Sequence, residues 1–129
     1  MVLENSYDKE YITICKSAEL YEKKGKLITF AEDEDFQLAL FRIDGKLFCV
    51  GNICPHRHAA RIHEGILDGI NVTCPEHGWE FSLETGENTN KHQGIRRLTT
   101  FEIFESEGEI YIEQPHFEIP LWRTNAGIE

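Results

Sequence analysis

Two short segments carry residues able to hold a metal: Cys54-Pro55-His56 and Cys74-Pro75-Glu76-His77. Seventeen residues separate them, so the pattern reads C-x-H-x17-C-x2-H. Each segment offers one thiolate sulfur and one imidazole nitrogen. Two soft thiolates and two borderline nitrogens suit zinc or an iron–sulfur centre. Zinc sites built from two cysteines and two histidines usually pair Cys with Cys and His with His. Here each half is mixed, which fits a two-iron rhomb that both loops must reach. Pro55 and Pro75 stiffen the loops and remove a backbone donor. A structural zinc module is the rival reading.

The segments that must position these residues read as strands. Tyr11–Cys15 alternates and is β-branched, and Lys26–Ala31 follows it. Phe36–Ile43 and Lys46–Val50 flank Asp44-Gly45, a two-residue hairpin signal. Ile66-Leu67 and Ile70–Thr73 flank Asp68-Gly69, and Leu98–Glu105 and Glu109–Ile112 flank Glu107-Gly108. Trp79–Leu83 is a short strand ended by Glu84-Thr85-Gly86. One ligand segment follows the strand ending at Val50 and the other the strand ending at Thr73, so two β-loops can face each other. Ser17-Ala-Glu-Leu20 predicts a short helical turn capped by Ser17. Short strands with turn signals at close spacing predict an all-β antiparallel sandwich or barrel. The expected organisation is a tail over 1–10, a domain over 11–113, and an extension over 114–129, where Pro115 and Pro120 interrupt any strand.

The length of 129 residues fits one domain. The formal charge of −10 argues against nucleic acid and against an anionic membrane surface. Glu32–Asp35 is one acidic run, and Glu102–Glu113 carries five glutamates. No run is long and apolar enough for a transmembrane helix, and Met1–Glu10 lacks the regions of a signal peptide. A cytoplasmic location is therefore expected, where disulfides are rare. Cys15 and Cys49 lie in apolar strand-like runs and are expected as small buried hydrophobes. His63, His92 and His116 have no ligand partner at a useful spacing and are expected to face solvent.

Cys54-Pro-His-Arg57, Glu64-Gly65, Cys74-Pro-Glu-His-Gly-Trp79, Phe81 and Thr85-Gly86 together resemble the Rieske iron–sulfur domain. The resemblance runs from about Phe36 to Ile112. It implies a small two-loop cluster-binding subdomain, about 51–87, within the β-fold, and one [2Fe–2S] cluster per chain. It also implies that Cys54 and Cys74 hold the inner iron and His56 and His77 the outer one. Neutral imidazoles in place of two thiolates leave the oxidised cluster less negative, so an added electron is easier to accept.

High-potential relatives carry an extra cysteine in each loop, at positions matching Ala59 and Glu76, so this chain has no inter-loop disulfide. Trp79 and Phe81 stand where those relatives place hydroxyls that bond the cluster sulfurs. Both departures imply the low-potential type, that of Rieske ferredoxins and ring-hydroxylating oxygenases. His58 stands where many oxygenase-type relatives have glycine and is an alternative ligand to His56. Trp79 is expected in core packing. Arg57 and Arg61 make the loop tip locally basic. They either cover the loops and bond backbone carbonyls or meet an acidic patch on a partner.

The resemblance implies a one-electron carrier between a reductase and an oxygenase or other acceptor, with no catalytic residue of its own. Residues 113–129 offer only His116 toward the two-histidine, one-carboxylate iron site of an oxygenase. The alternative is the small Rieske subunit of a larger oxidoreductase, of the nitrite reductase kind.

Overall fold

The computed structural model describes residues 10–30, 36–53, 60–76, 78–90, 92 and 97–115. Ten strands run through them: β1 Tyr11–Lys16, β2 Lys26–Thr29, β3 Gln37–Ile43, β4 Lys46–Gly51, β5 Ile66–Asp68, β6 Asn71–Thr73, β7 Glu80–Ser82, β8 Thr100–Phe101, β9 Ile103–Ser106 and β10 Glu109–Glu113. They form three sheets, in the orders β1-β10-β9, β2-β3-β4-β8 and β5-β6-β7. Every strand pairing is antiparallel. The expected all-β antiparallel fold is the observed one.

The β3–β4 hairpin organises the core because it is buried on both faces. Alternate residues of a strand point to opposite sides. Ala39, Phe41 and Ile43 of β3, with Phe48 and Val50 of β4, enter one cluster with Ile62, Val72, Cys74, Phe81, Leu83 and Leu98. Leu38 and Leu40, with Cys49, enter a second cluster with Leu20, Ile28, Ile110 and Ile112. The first cluster joins the central sheet to the small β5-β6-β7 sheet. The second joins it to the β1-β10-β9 sheet. Trp79 packs half-buried against the first cluster, as its size suggests.

Two hairpin turns follow the expected chemistry. Asp44 and Gly45 have φ of 52° and 83°, and Glu107 and Gly108 have φ of 52° and 82°. Two successive positive φ values are the signature of the type I′ turn that suits a twisted hairpin. The β5–β6 turn differs from expectation. Asp68 pairs with Asn71, so the two loop residues are Gly69 and Ile70. Gly69 has φ of 62° and takes the first turn position, where a type II′ turn requires glycine. Asp68 thereby stays in extended backbone.

The expected strand over Leu98–Glu105 is two strands. Thr100–Phe101 pairs with β4 and Ile103–Ser106 pairs with β10, so the chain changes sheets at Glu102. The expected Ser17 cap is also corrected. Ser17–Glu19 is a single 3-10 turn whose cap residue is Lys16, and the Glu19 carboxylate accepts from the Lys16 N–H at 3.1 Å.

Candidate metal centre

Of the expected ligands, Cys74 is among the described residues; Cys54, His56 and His77 lie outside them, as do Arg57, His58, Ala59 and His116. Cys74 follows β6 directly and is buried, 1% exposed, in the first core cluster with Val72, Phe81 and Ile62. Its backbone closes the second loop at the stem. The Cys74 N–H donates to the Trp79 carbonyl at 2.8 Å, and the Gly78 N–H donates to the Cys74 carbonyl at 3.0 Å. Gly78 has φ of 78°, which glycine adopts without a Cβ clash. The turn thus brings the chain back into β7 six residues after Cys74.

The first loop is closed by Asn52, which stands just past β4 and two residues before Cys54. Its N–H donates to the Gln37 carbonyl at 2.9 Å, and its carbonyl accepts from the Ile62 N–H at 3.2 Å. Its fully buried side chain donates from Nδ2 to Gln37 Oε1 at 3.0 Å. Asn52 Oδ1 accepts from the His63 backbone N–H at 2.7 Å and faces His63 Nδ1 at 3.0 Å. Asn52 and Ile62, on either side of residues 53–61, are therefore fixed to each other. This corrects the expectation for His63, whose side chain is 20% exposed and tied to Asn52. Sequence reasoning missed Asn52; its one signal was a polar residue ending a strand just before the first ligand. His92 is exposed, as expected.

Arg61 is not a free basic group. Its Nε donates to Glu64 at 2.7 Å and its Nη1 donates to Glu76 at 2.7 Å. The two carboxylates raise its pKa further above the ordinary guanidinium value, and Arg61 holds the Glu64 carboxyl below the usual carboxylate range. Two carboxylates around one guanidinium leave Arg61 in a net negative cluster; Arg57, the other arginine of the expected basic tip, lies outside the described residues. Arg61 bonds carboxylates rather than backbone carbonyls.

Cys49 is a buried hydrophobe, as expected, and burial pushes its thiol well above the ordinary range. Cys15 is half-buried in β1, and desolvation raises its thiol too, against the pull of Lys26.

Residues 10–102 match the family model described as the Rieske [2Fe-2S] domain. The chain belongs to the Rieske [2Fe–2S] domain family. It is 33% identical over 100 residues to the 3-phenylpropionate/cinnamic acid dioxygenase ferredoxin subunit of Photorhabdus laumondii, covering 77% of this chain and 90% of that one. It is 38% identical over 53 residues to the naphthalene 1,2-dioxygenase system ferredoxin component of Pseudomonas aeruginosa, covering 41% of this chain and 50% of that one. It is 34% identical over 92 residues to a nitrite reductase [NAD(P)H] of Emericella nidulans, covering 65% of this chain. The chain thus spans half the length of the naphthalene relative and 8% of the nitrite reductase. Among solved structures, a ferredoxin of Sphingomonas yanoikuyae B1 shares the fold, with a TM-score of 0.72 at 24% identity over 82% of this chain and all of that one.

The cofactor of this family is a [2Fe–2S] cluster. The described residues fit it: a buried cysteine stands at the stem of one loop, and Ile62, bonded to Asn52, enters the same core cluster. No helix among the described residues is long and apolar enough to cross a membrane.

Proposed function

We propose that Cys54, His56, Cys74 and His77 hold the cluster, and that the Rieske domain spans 11–113 with its cluster-binding part at about 51–87. The observation that carries this reading is the position of Cys74. It is buried at the stem of a closed loop, in the same cluster as Ile62 at the foot of the first loop. A burial of this kind suits the inner iron, with the histidines of both loops left for the outer one. When bound, a [2Fe–2S] group takes up and releases one electron at a time. The chain's own part is to fix one loop after β4 and the other between β6 and β7, both stems packed on one core cluster, so that little rearranges as the charge changes.

The chain then works as a Rieske-type ferredoxin, a one-electron carrier delivering electrons from a reductase to an oxygenase or other redox partner. The names of two relatives, both ferredoxin components of dioxygenase systems, support this. A cytoplasmic location and an absence of nucleic-acid or membrane partners accord with the charge of −10. The likeness to a nitrite reductase favours a second reading, a small Rieske subunit of a larger oxidoreductase.

The test is metal and sulfide analysis of anaerobically purified protein, with EPR before and after reduction. Two irons, two labile sulfides and a rhombic signal only after reduction are expected. One zinc without iron would overturn the reading in favour of a structural zinc module. His56→Ala should abolish the visible spectrum and His58→Ala should keep it; the reverse would move the ligand to His58. Co-purification with a reductase subunit in fixed stoichiometry would favour the larger oxidoreductase.

A further inference from the structure

Arg61 joins the two ligand loops. It is the last residue before Ile62, whose backbone is bonded to Asn52 and whose side chain is fully buried. Glu76 lies two residues past Cys74, in the loop closed by the Cys74–Trp79 and Gly78–Cys74 hydrogen bonds. The ion pair therefore spans two anchored stretches of backbone. Glu64, in the 3-10 turn Ile62–Glu64, takes Nε and orients the guanidinium, leaving Nη1 aimed at Glu76. An exposed pair usually loses most of its value to the entropy of holding two long side chains together. Here the third partner has already ordered the arginine.

We infer that the Arg61–Glu76 ion pair is a clasp that positions the two ligand loops against each other and slows the loss of the cluster, with Glu64 as the residue that orients it. The inference rests on the ligand assignment above. Each loop contributes one cysteine and one histidine to the proposed site, so release requires the loops to part, and the clasp opposes that motion. Since both carboxylates are engaged, Arg61 holds no spare charge for an acidic partner.

The test follows the visible cluster absorption of the holoprotein under an excess of an iron chelator. At low salt, Arg61→Met and Glu76→Gln should each speed cluster loss about threefold, the scale expected of an exposed but anchored pair. The double variant should lose its cluster no faster than Arg61→Met alone, because both changes break one contact. Glu64→Gln should have a smaller effect. The gap between wild type and Arg61→Met should shrink between about 0.05 M and about 0.5 M salt. Arg61→Glu should be faster still, and adding Glu76→Arg to it should slow the loss again. Additive effects in the double variant, or Glu64→Gln matching Arg61→Met while Glu76→Gln behaves as wild type, would overturn the inter-loop clasp. Wild-type protein that carries no two-iron cluster would instead overturn the ligand assignment, and the clasp with it.

Discussion

Asn52 holds His63 at two points: its Oδ1 accepts from the His63 backbone N–H at 2.7 Å and from His63 Nδ1 at 3.0 Å. An amide oxygen can only accept, so in this contact Nδ1 carries the proton. The pair closes the first ligand loop, and its Asn52 member is fully buried. Removing the amide leaves two donors of His63 and the Gln37 Oε1 acceptor without it. Asn52→Ala should therefore cost about 3 kcal/mol. Chemical denaturation of the apoprotein should show the loss as a lower midpoint, and the purified variant should carry less iron per chain.

Gly25 lies against the same place from the other side. A Cβ at residue 25 would fall 2.1 Å from the His63 carbonyl oxygen and 2.9 Å from the Phe41 ring. Neither neighbour can yield easily, since one is backbone and the other is fully buried. Gly25→Ala should destabilise the protein by at least about 2 kcal/mol, the scale of core overpacking. Gly45→Ala, where no atom lies within 4 Å, tests strain without crowding, because Gly45 sits at φ of 83°. Thermal melts should rank Gly25→Ala as the weaker protein.

Arg42 ties two sheets together, and its effect should depend on pH. It donates to the Leu20 carbonyl at 3.1 Å and the Ser17 carbonyl at 3.2 Å, and it meets Glu105 with two nitrogens at 3.1 and 3.0 Å. The Arg42 guanidinium holds the Glu105 carboxyl below the usual carboxylate range. A carboxyl whose folded pKa is depressed adds stability above its unfolded pKa and loses it as pH falls through the folded one. Arg42→Met should cost about 2 kcal/mol at neutral pH. The gap to wild type should be flat above about pH 5 and narrow below about pH 4. It should not vanish, because the two carbonyl contacts do not titrate. Urea midpoints taken across this range measure it.

Phe81 is fully buried in the cluster that contains Cys74, its ring 6.4 Å from that of Trp79. Neither ring offers a hydroxyl toward a cluster sulfur. The midpoint potential should lie toward the low end of the Rieske span of about −150 to +300 mV. Phe81→Tyr should raise it by supplying a hydrogen bond that stabilises the reduced charge. A hydroxyl that finds no sulfur would leave the potential unmoved and cost about 1 kcal/mol or more of stability. Voltammetry and denaturation on the same sample separate the two.

Much of the fold is written locally. Asp44-Gly45 and Glu107-Gly108 set two hairpins because each pair accepts two positive φ values, and the flanking apolar-rich runs supply the strands. The mixed spacing C-x-H-x17-C-x2-H carries the ligand chemistry in residue types alone. The resemblance built on it agrees with the family that matches residues 10–102.

Tertiary structure decided which partner each group meets. The β5–β6 turn moved to Gly69-Ile70 because register is settled by pairing across both strands, and Gly69 could supply the positive φ. The run Leu98–Glu105 broke in two because its halves found different sheets. In the sequence Arg61 reads as a basic tip and His63 as a surface imidazole. Glu76 lies fifteen residues from Arg61 and Asn52 eleven from His63. Such contacts leave no periodic trace in the sequence. They exist only once β5 and β6 pair and the double-faced β3–β4 hairpin brings the ends of both ligand loops together.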